Sequence, residues 1–556
     1  MRAKCEPCAS KDEENARLRT RVDELVAQVR ELDKLCTLLQ ADLDRYKQEA
    51  SRLQPNRPEH APAGQLQLAF EQVIASFAST EPANDSAERP QGAVCPPESP
   101  APAPPSPPRP GHKPHGRRRL DTTKLPVEEI VIEPEEVRAA GGEGFVRIGE
   151  EVSERLAFRP ACYVVLRTIR PKYARVSARA AEPSAAAVLC APVPPNFWPR
   201  AMADVSAIVE IILGKYDACL PLHRQERLSA RHGFHLPRST QCDWLGAAAA
   251  YLYRIVDAMM AEARTKAFCI ATDATGAPVR LPGECATWHV FVFIADRDHV
   301  VFRATRRHTS KAIAEMLEGF RGHLLSDAAL IYDTLHRDHG VLEVCCWFHL
   351  RRYFWRCRDT EPTLAMEALS MIAKLFEVER ATKDLSMPER TAERARRAAP
   401  LLELFERWLG RVRTKVDARS PLQAAITYYD NQREGLRRFL TDGRLRLDNN
   451  ISEGQLRNLV LGRRNWGFFE NPEGLRWYTI FRSLIASCAL HGLDATRYLD
   501  EVLRLAPHWP TTRMLELSPK HWASTRERLS DAQRACLRSP WEMTTKSQEG
   551  EVARAA

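Results

Sequence analysis

No apolar run in this sequence approaches the roughly 18 residues that a membrane-spanning helix needs. The strongest candidate, Ala207 to Leu213, is broken by Glu210. The opening residues, MRAKCEPCASKDEE, lack the apolar stretch of a secretory signal. A cytoplasmic protein with no membrane partner is therefore expected. A disulfide framework is absent too: the 15 cysteines are scattered, and Cys269, Cys345 and Cys346 sit inside apolar runs, which reads as reduced, buried thiols. Nor does charge of one sign dominate. Lys and Arg number 81 against 72 Asp and Glu, a net charge of +9. That balance permits a polyanionic partner without demonstrating one. What is there is a long soluble-type chain of 556 residues, enough for several domains.

Leu18, Val22, Leu25, Val29, Leu32, Cys36, Leu39 and Leu43 alternate spacings of 4 and 3, with charged and amide residues between them. This heptad seam predicts a coiled coil within residues 1–54 and a homo-oligomer formed through residues 18–43. The alternative is a single amphipathic helix packed on its own chain. Residues 55–115 carry proline at nearly every second position in CPPESPAPAPPSPPRPGHKP and read as an extended linker. Arg117, Arg118 and Arg119 follow that tether and are candidate phosphate contacts. The runs PVEEIVIEP, ERLAFRP and ACYVVLRTIRPKYARV predict a small β-rich module over 116–200. In 201–265 the pattern turns helical. There, two helices around Gly233, the second opened by Pro237 and Ser239, fit helix-turn-helix spacing, with Arg238 and Gln241 facing outward. Arg238 is the candidate DNA contact.

From residue 266 the order of elements becomes informative. AFCIAT, TWHVFVFIA and VVFRAT are three strands, SKAIAEMLEGF a helix, HLLS a fourth strand, and VLEVCCW a fifth after a short helix. That is the order of a ribonuclease-H-like fold, in which the first and fourth strands lie side by side. Asp273 and Asp327 end those two strands. Paired carboxylates there repel, and a divalent cation relieves the repulsion. A third carboxylate is expected on a late helix. Glu453 supplies it, in the first turn after Asp448, Asn449 and Asn450, with Ile451, Leu456 and Leu459 as the packing face. Taken alone, Glu453 could equally be a surface partner of Arg457, four residues on. Three such carboxylates suit two Mg²⁺ or Mn²⁺ ions roughly 4 Å apart and in-line phosphoryl transfer. The domains then read as a ribonuclease-H-like core over 266–347 and 446–490, a helical insertion at 348–445 and a tail at 491–556. Two clusters, HLRRYFWRCR and LGRRNWGFF, mix basic and aromatic residues, and Arg351, Arg352, Arg463 and Arg464 are the candidate double-stranded DNA contacts.

With ATDATGAPV, GHLLSDAALIY, CCWFHLRRYF and DNNISEGQLRNLVLGRRNWGF in view, the chain resembles transposases of the insertion-sequence-66 family, from the heptad helix to about residue 523. The resemblance implies a multidomain α/β protein with an all-α insertion in its catalytic core. It implies Mg²⁺-dependent cleavage and strand transfer at element ends by Asp273, Asp327 and Glu453, action at the nucleoid, and helper proteins from the same element. Two alternatives stay open: a catalytically inactive DNA-binding protein, and a nuclease that cuts without joining. The family's zinc module carries two Cys pairs, whereas the matching stretches RAAGGEGF and YARVSARAAE have none. Cys5 and Cys8 give only two ligands, so zinc is not expected. Ala274 and Gly454 also depart from the family, which commonly has a polar or acidic residue and Arg there.

Overall fold

The computed structural model describes residues 61–78, 125–159, 162–175, 188–193 and 201–537, with a few isolated positions before them. The proline-rich stretch and Arg117 to Arg119 lie outside the described residues. Of the heptad seam only Val22 and Val29 are described; both are helical and exposed. The chain divides into two compact units, Met1–Leu66 and Gln67–Ala556. No helix among the described residues is long and apolar enough to cross a membrane.

Alternating, β-branched sequence builds the first sheet from β1 (Val127–Val131), β2 (Phe145–Arg159), β3 (Cys162–Arg175) and β4 (Val188–Cys190). The order is β1–β3–β2, with β4 also pairing β3; only β1 runs parallel to β3. One face closes a small core of Ile130, Ala157, Val164 and Leu166. The other carries exposed ion pairs, such as Arg167 with Glu129 and Glu154, which contribute little individually. PVEEIVIEP contains β1, ERLAFRP covers the end of the longer β2, and ACYVVLRTIRPKYARV contains β3. Asp204 joins this sheet to the Val205–Tyr216 helix: its N–H donates to the Leu156 carbonyl, and its carboxylate caps the helix.

Two more helices come next, Leu222–Arg231 and Arg238–Lys266, with Gly233 between them at φ +88°. The second runs for 29 residues, far beyond one recognition helix. Its apolar residues recur along the whole length, and Trp244, Ala248, Leu252, Ile255 and Met259 are buried. Gln241 does not face outward as expected. It is fully buried and donates from Nε2 to the Leu236 carbonyl at 3.0 Å. A short polar side chain so near the turn satisfies a carbonyl that the preceding loop leaves free. Arg238 is exposed, 3.3 Å from Glu226.

The second sheet contains β5 (Cys269–Leu281), β6 (Glu284–Ala295), β7 (His299–Thr305), β8 (His323–Ser326) and β9 (Leu342–Cys345). The order is β7–β6–β5–β8–β9. β5, β6 and β7 form an antiparallel meander, while β8 and β9 run parallel to β5. Val290 to Ala295 are all buried, so this part of β6 is covered on both faces. The Pro472–Leu490 helix seals the β7 edge. Ser483 Oγ accepts from Phe302 N at 2.8 Å, and Ser487 Oγ accepts from Val300 N at 3.0 Å. Edge-strand donors that would otherwise face water or another chain are thereby used.

Between β9 and residue 450 the chain contains helices joined by turns and no strand. The helices Trp347–Arg356, Ala399–Arg413 and Pro421–Asn431 share an aromatic core of Trp347, Phe354, Phe405, Trp408 and Tyr429, and Glu367 of the Pro362–Ala381 helix accepts from Trp408 Nε1 at 2.6 Å. Fully buried Arg394 closes the base of this lobe. It donates to both Glu379 oxygens and to the carbonyls of Phe439, Asp442 and Leu445 at 2.6 to 2.8 Å.

Candidate active site

β8 pairs β5 only through Cys269, Ile270 and Ala271. Beyond Ala271, β5 continues past the end of β8, and the sheet opens there. The last parallel pair is Ala271 with Leu325. Asp273 comes two residues further along β5, and Asp327 is the first residue past the end of β8. Asp273 thus lies within β5 rather than at its end. Its Oδ1 accepts from Ala274 N at 2.7 Å. Asp327 opens a tight turn. Its Oδ1 accepts from Ala329 N at 3.2 Å, and Ala328 takes φ +61°, a strained value for a residue with a Cβ. Tyr428 from the insertion donates to the Asp327 carbonyl at 3.1 Å.

Glu453 stands in the first turn of the Asn450–Trp466 helix. Both ends of that helix are stitched to β5. At the start, buried Asn449 donates from Nδ2 to the Thr272 carbonyl at 2.7 Å and from its backbone N to Cys346 Sγ at 3.2 Å. At the end, Gly467 turns the chain at φ +75°, and Phe469 exchanges backbone hydrogen bonds with Pro278 and Arg280. Leu456 and Leu459 are buried beneath, Ile451 partly so. The ionic neighbour of Glu453 is His349, Nε2 to Oε1 at 3.8 Å, rather than Arg457.

The electrostatics couple these groups. Burial, then the charges of Asp327 and Glu453, push the Asp273 carboxyl up to about 7, against the Ala274 N–H and Arg352. His349 is lowered by burial, with the Asp327 and Glu453 charges opposing. The carboxylates do not, however, gather around a single point. Among the described residues, the trio of potential ligand atoms lying within 4.8 Å of one another is Glu262, His299 and His521, in another part of the protein. Hard carboxylate oxygens that repel in a half-buried opening nonetheless fit divalent cations.

The arginines expected to contact DNA divide. Arg464 is exposed. Arg463 is half-buried and donates to the Gly276 carbonyl of β5. Arg351 and Arg352 lie over Phe348, at 5.7 and 5.5 Å. Sequence reasoning missed His349 and Asn449 as members of this site, although they stand inside CCWFHLRRYF and DNNISEGQLRNLVLGRRNWGF. The signal was there in their placement, His349 just past the fifth strand and Asn449 just before the glutamate helix.

The family model described as Transposase IS66 family matches residues 200–476, a span that takes in all three carboxylates. Uncharacterized protein y4jD of Sinorhizobium fredii (strain NBRC 101917 / NGR234) is 31% identical over 420 residues, covering 72% of this chain and 80% of that one. Uncharacterized protein y4hP of the same strain is 29% identical over 422 residues, covering 71% of this chain and 75% of its own.

Proposed function

Because this chain belongs to the IS66 transposase family, we propose that it cleaves DNA at insertion-sequence ends and joins them to a target, with Asp273, Asp327 and Glu453 as its catalytic carboxylates. The observation that carries this reading is the parallel β5–β8 register. Asp273 follows its last pair by two residues along β5, Asp327 follows directly after β8, and the Glu453 helix is tied to β5 at Thr272. The strand order supports a ribonuclease-H-like core at 266–347 and 446–490, interrupted by the helical insertion at 348–445.

The three carboxylates would hold two Mg²⁺ or Mn²⁺ ions. The chemistry such ions would supply, when bound, is polarisation of the attacked phosphate and stabilisation of the departing 3′-oxygen. The chain's own residues do the rest. Asp273 releases its proton to become a ligand. Arg352, close enough to pull its titration down, offsets the negative charge. His349 can donate to Glu453 or to an incoming phosphate oxygen. Exposed Arg464 and Arg238 and partly buried Arg351 and Arg352 grip duplex phosphates without reading sequence. Self-association through residues 18–43, with Arg117 to Arg119 on the tether as further phosphate contacts, would bring two element ends together. Helper proteins of the same element belong to the same proposal.

The test is a Mg²⁺-dependent cleavage and strand-transfer assay on element-end DNA, with Asp273→Asn, Asp327→Asn and Glu453→Gln alongside. Each change should lower joining by at least about 10²-fold, the scale of losing one electrostatic stabiliser, while DNA binding persists. Nicks without joined products would make the protein a nuclease. Binding without nicks in the wild type would leave a DNA-binding remnant.

A further inference from the structure

Away from the three carboxylates, three side chains from distant parts of the sequence converge. Glu262 comes from the last turns of the Arg238–Lys266 helix, His299 opens β7, and His521 lies in the Pro519–Glu527 helix. His299 Nε2 stands 2.7 Å and His521 Nε2 3.0 Å from the same oxygen, Glu262 Oε2. The ligand atoms of all three lie within 4.8 Å of one another. The side chains of Glu262 and His299 are 3% and 1% exposed, whereas His521 is 32% exposed and gives the cluster a path to solvent.

Neutral imidazoles must both carry their proton on Nε2 to reach one oxygen, so two ring donors crowd Glu262 Oε2, which Lys520 also approaches. Two imidazole nitrogens and one carboxylate oxygen are also a donor set that zinc takes readily, with a fourth position open. Tetrahedral bonds of about 2.0–2.1 Å place ligand atoms roughly 3.4 Å apart, so the side chains need to open by about half an ångström. Lys520 is the competitor. Its Nζ is 3.3 Å from Glu262 Oε2, but only 2.7 Å from Asp298, which can keep it when Oε2 turns to a cation. Lys266 binds the other oxygen, Oε1, at 2.9 Å, and leaves Glu262 as a one-oxygen ligand.

We propose that Glu262, His299 and His521 form a binding site for one zinc-type transition-metal ion, which clamps the C-terminal helix onto the long helix and the β7 edge. This zinc site owes nothing to the cysteine module whose ligands the sequence lacks. It stands independently of the catalytic reading.

The experiment is a Co²⁺ titration of the dialysed full-length protein in millimolar Mg²⁺, followed by visible absorption, with metal analysis after loading with Zn²⁺. One equivalent of Co²⁺ should bind with the strong absorption of tetrahedral coordination, and Zn²⁺ should displace it. The signal should be unchanged in Asp273→Asn and Glu453→Gln, which separates it from the carboxylate site. It should be lost in His521→Gln, at a half-exposed position that does not threaten folding, and in His299→Gln. Lys520→Ala should tighten binding. Absence of a tetrahedral band in the wild type, or a band that survives both histidine changes, overturns the proposal and leaves a hydrogen-bonded cluster only.

Discussion

Asn449 donates from Nδ2 to the carbonyl oxygen of Thr272 at 2.7 Å, and both residues are fully buried. That bond fixes the first turn of the Glu453 helix to the strand residue immediately before Asp273. The Asn449 Oδ1 in turn accepts from Ser452 Oγ at 2.7 Å, so the amide is used at both ends. Asn449→Ala strands a buried carbonyl and a hydroxyl. The expected loss of stability is about 1–3 kcal/mol by urea denaturation. Strand transfer should fall further than stability alone explains, by about 10²-fold, the scale that a 1 Å misplacement can cost. A variant with the stability loss and wild-type joining would show that Glu453 needs no such tie.

Asp273 carries a pH prediction. Its carboxyl is pushed up to about 7, first by burial and then by Asp327 and Glu453. In the unfolded chain it would ionise near pH 4. Between about pH 4 and about pH 7 the folded, metal-free protein therefore holds a proton that the unfolded chain has lost, and stability falls as pH rises across that window. Metal binding runs the other way. The ion displaces the proton, so Mn²⁺ affinity should climb as pH rises to about 7 and level off above it. Calorimetric titrations on either side of neutrality check this. Asp273→Asn should flatten the stability slope, and an unchanged slope would assign the titration to another group.

Much of the second sheet was legible from residue order. The alternation in TWHVFVFIA and VVFRAT and the short HLLS run mark strands that the structure contains as β6, β7 and β8. The end of β5 was not legible, because ATDATGAPV has no break at Asp273; the strand simply outruns its parallel neighbour and pairs on with β6 to Leu281. Gln241 was misplaced for a related reason. Local polarity predicts exposure, but a carbonyl left free by the Gly233 turn needed a donor inside. His349, Arg394 and the Glu262 cluster are harder still. Each acts on groups tens to hundreds of positions away, and no local period records such a meeting.

Arg394 is a positioning residue on this reading. Its guanidinium joins Glu379 to three carbonyls in 439–445, the segment that leads into the Glu453 helix. Replacing it by Ala leaves Glu379 with Arg390 alone and strands buried carbonyls in 439–445, an expected loss of about 1–3 kcal/mol. The loss should be local before it is global. Amide hydrogen exchange in residues 439–447 should accelerate by more than tenfold, while β6 and β7 keep their protection. Arg394→Lys retains the charge but cannot reach all four partners at once, and should fall between. Uniform acceleration across both sheets would instead make Arg394 an ordinary core residue.

The last prediction concerns the junction between the first sheet and the C-terminal helices. Asp204 is buried and accepts from Arg504 at 2.9 Å, while Arg504 also pairs with Asp500 at 2.9 Å. Burial alone would raise the Asp204 carboxyl. Arg504, the Ser206 N–H and Arg155 together overcome that and hold it at about 2. A folded value below the unfolded one means that the ionised form is stabilised by folding. The contribution is complete above about pH 4 and is lost as pH falls through about 2. Asp204→Asn should therefore lower stability at neutral pH by about 2 kcal/mol, at about 1.4 kcal/mol for each pKa unit. The same change should make the acid limb of the stability curve shallower by close to one proton. Arg504→Met should cost more, about 3–5 kcal/mol, because it leaves buried Asp204 and Asp500 close together with only the Arg155 charge acting on Asp204. Denaturation measured from about pH 2 to about pH 7 separates the two effects. If Asp204→Asn shifted the whole curve without altering its slope, the junction would depend on the helix cap at Ser206 rather than on the charge.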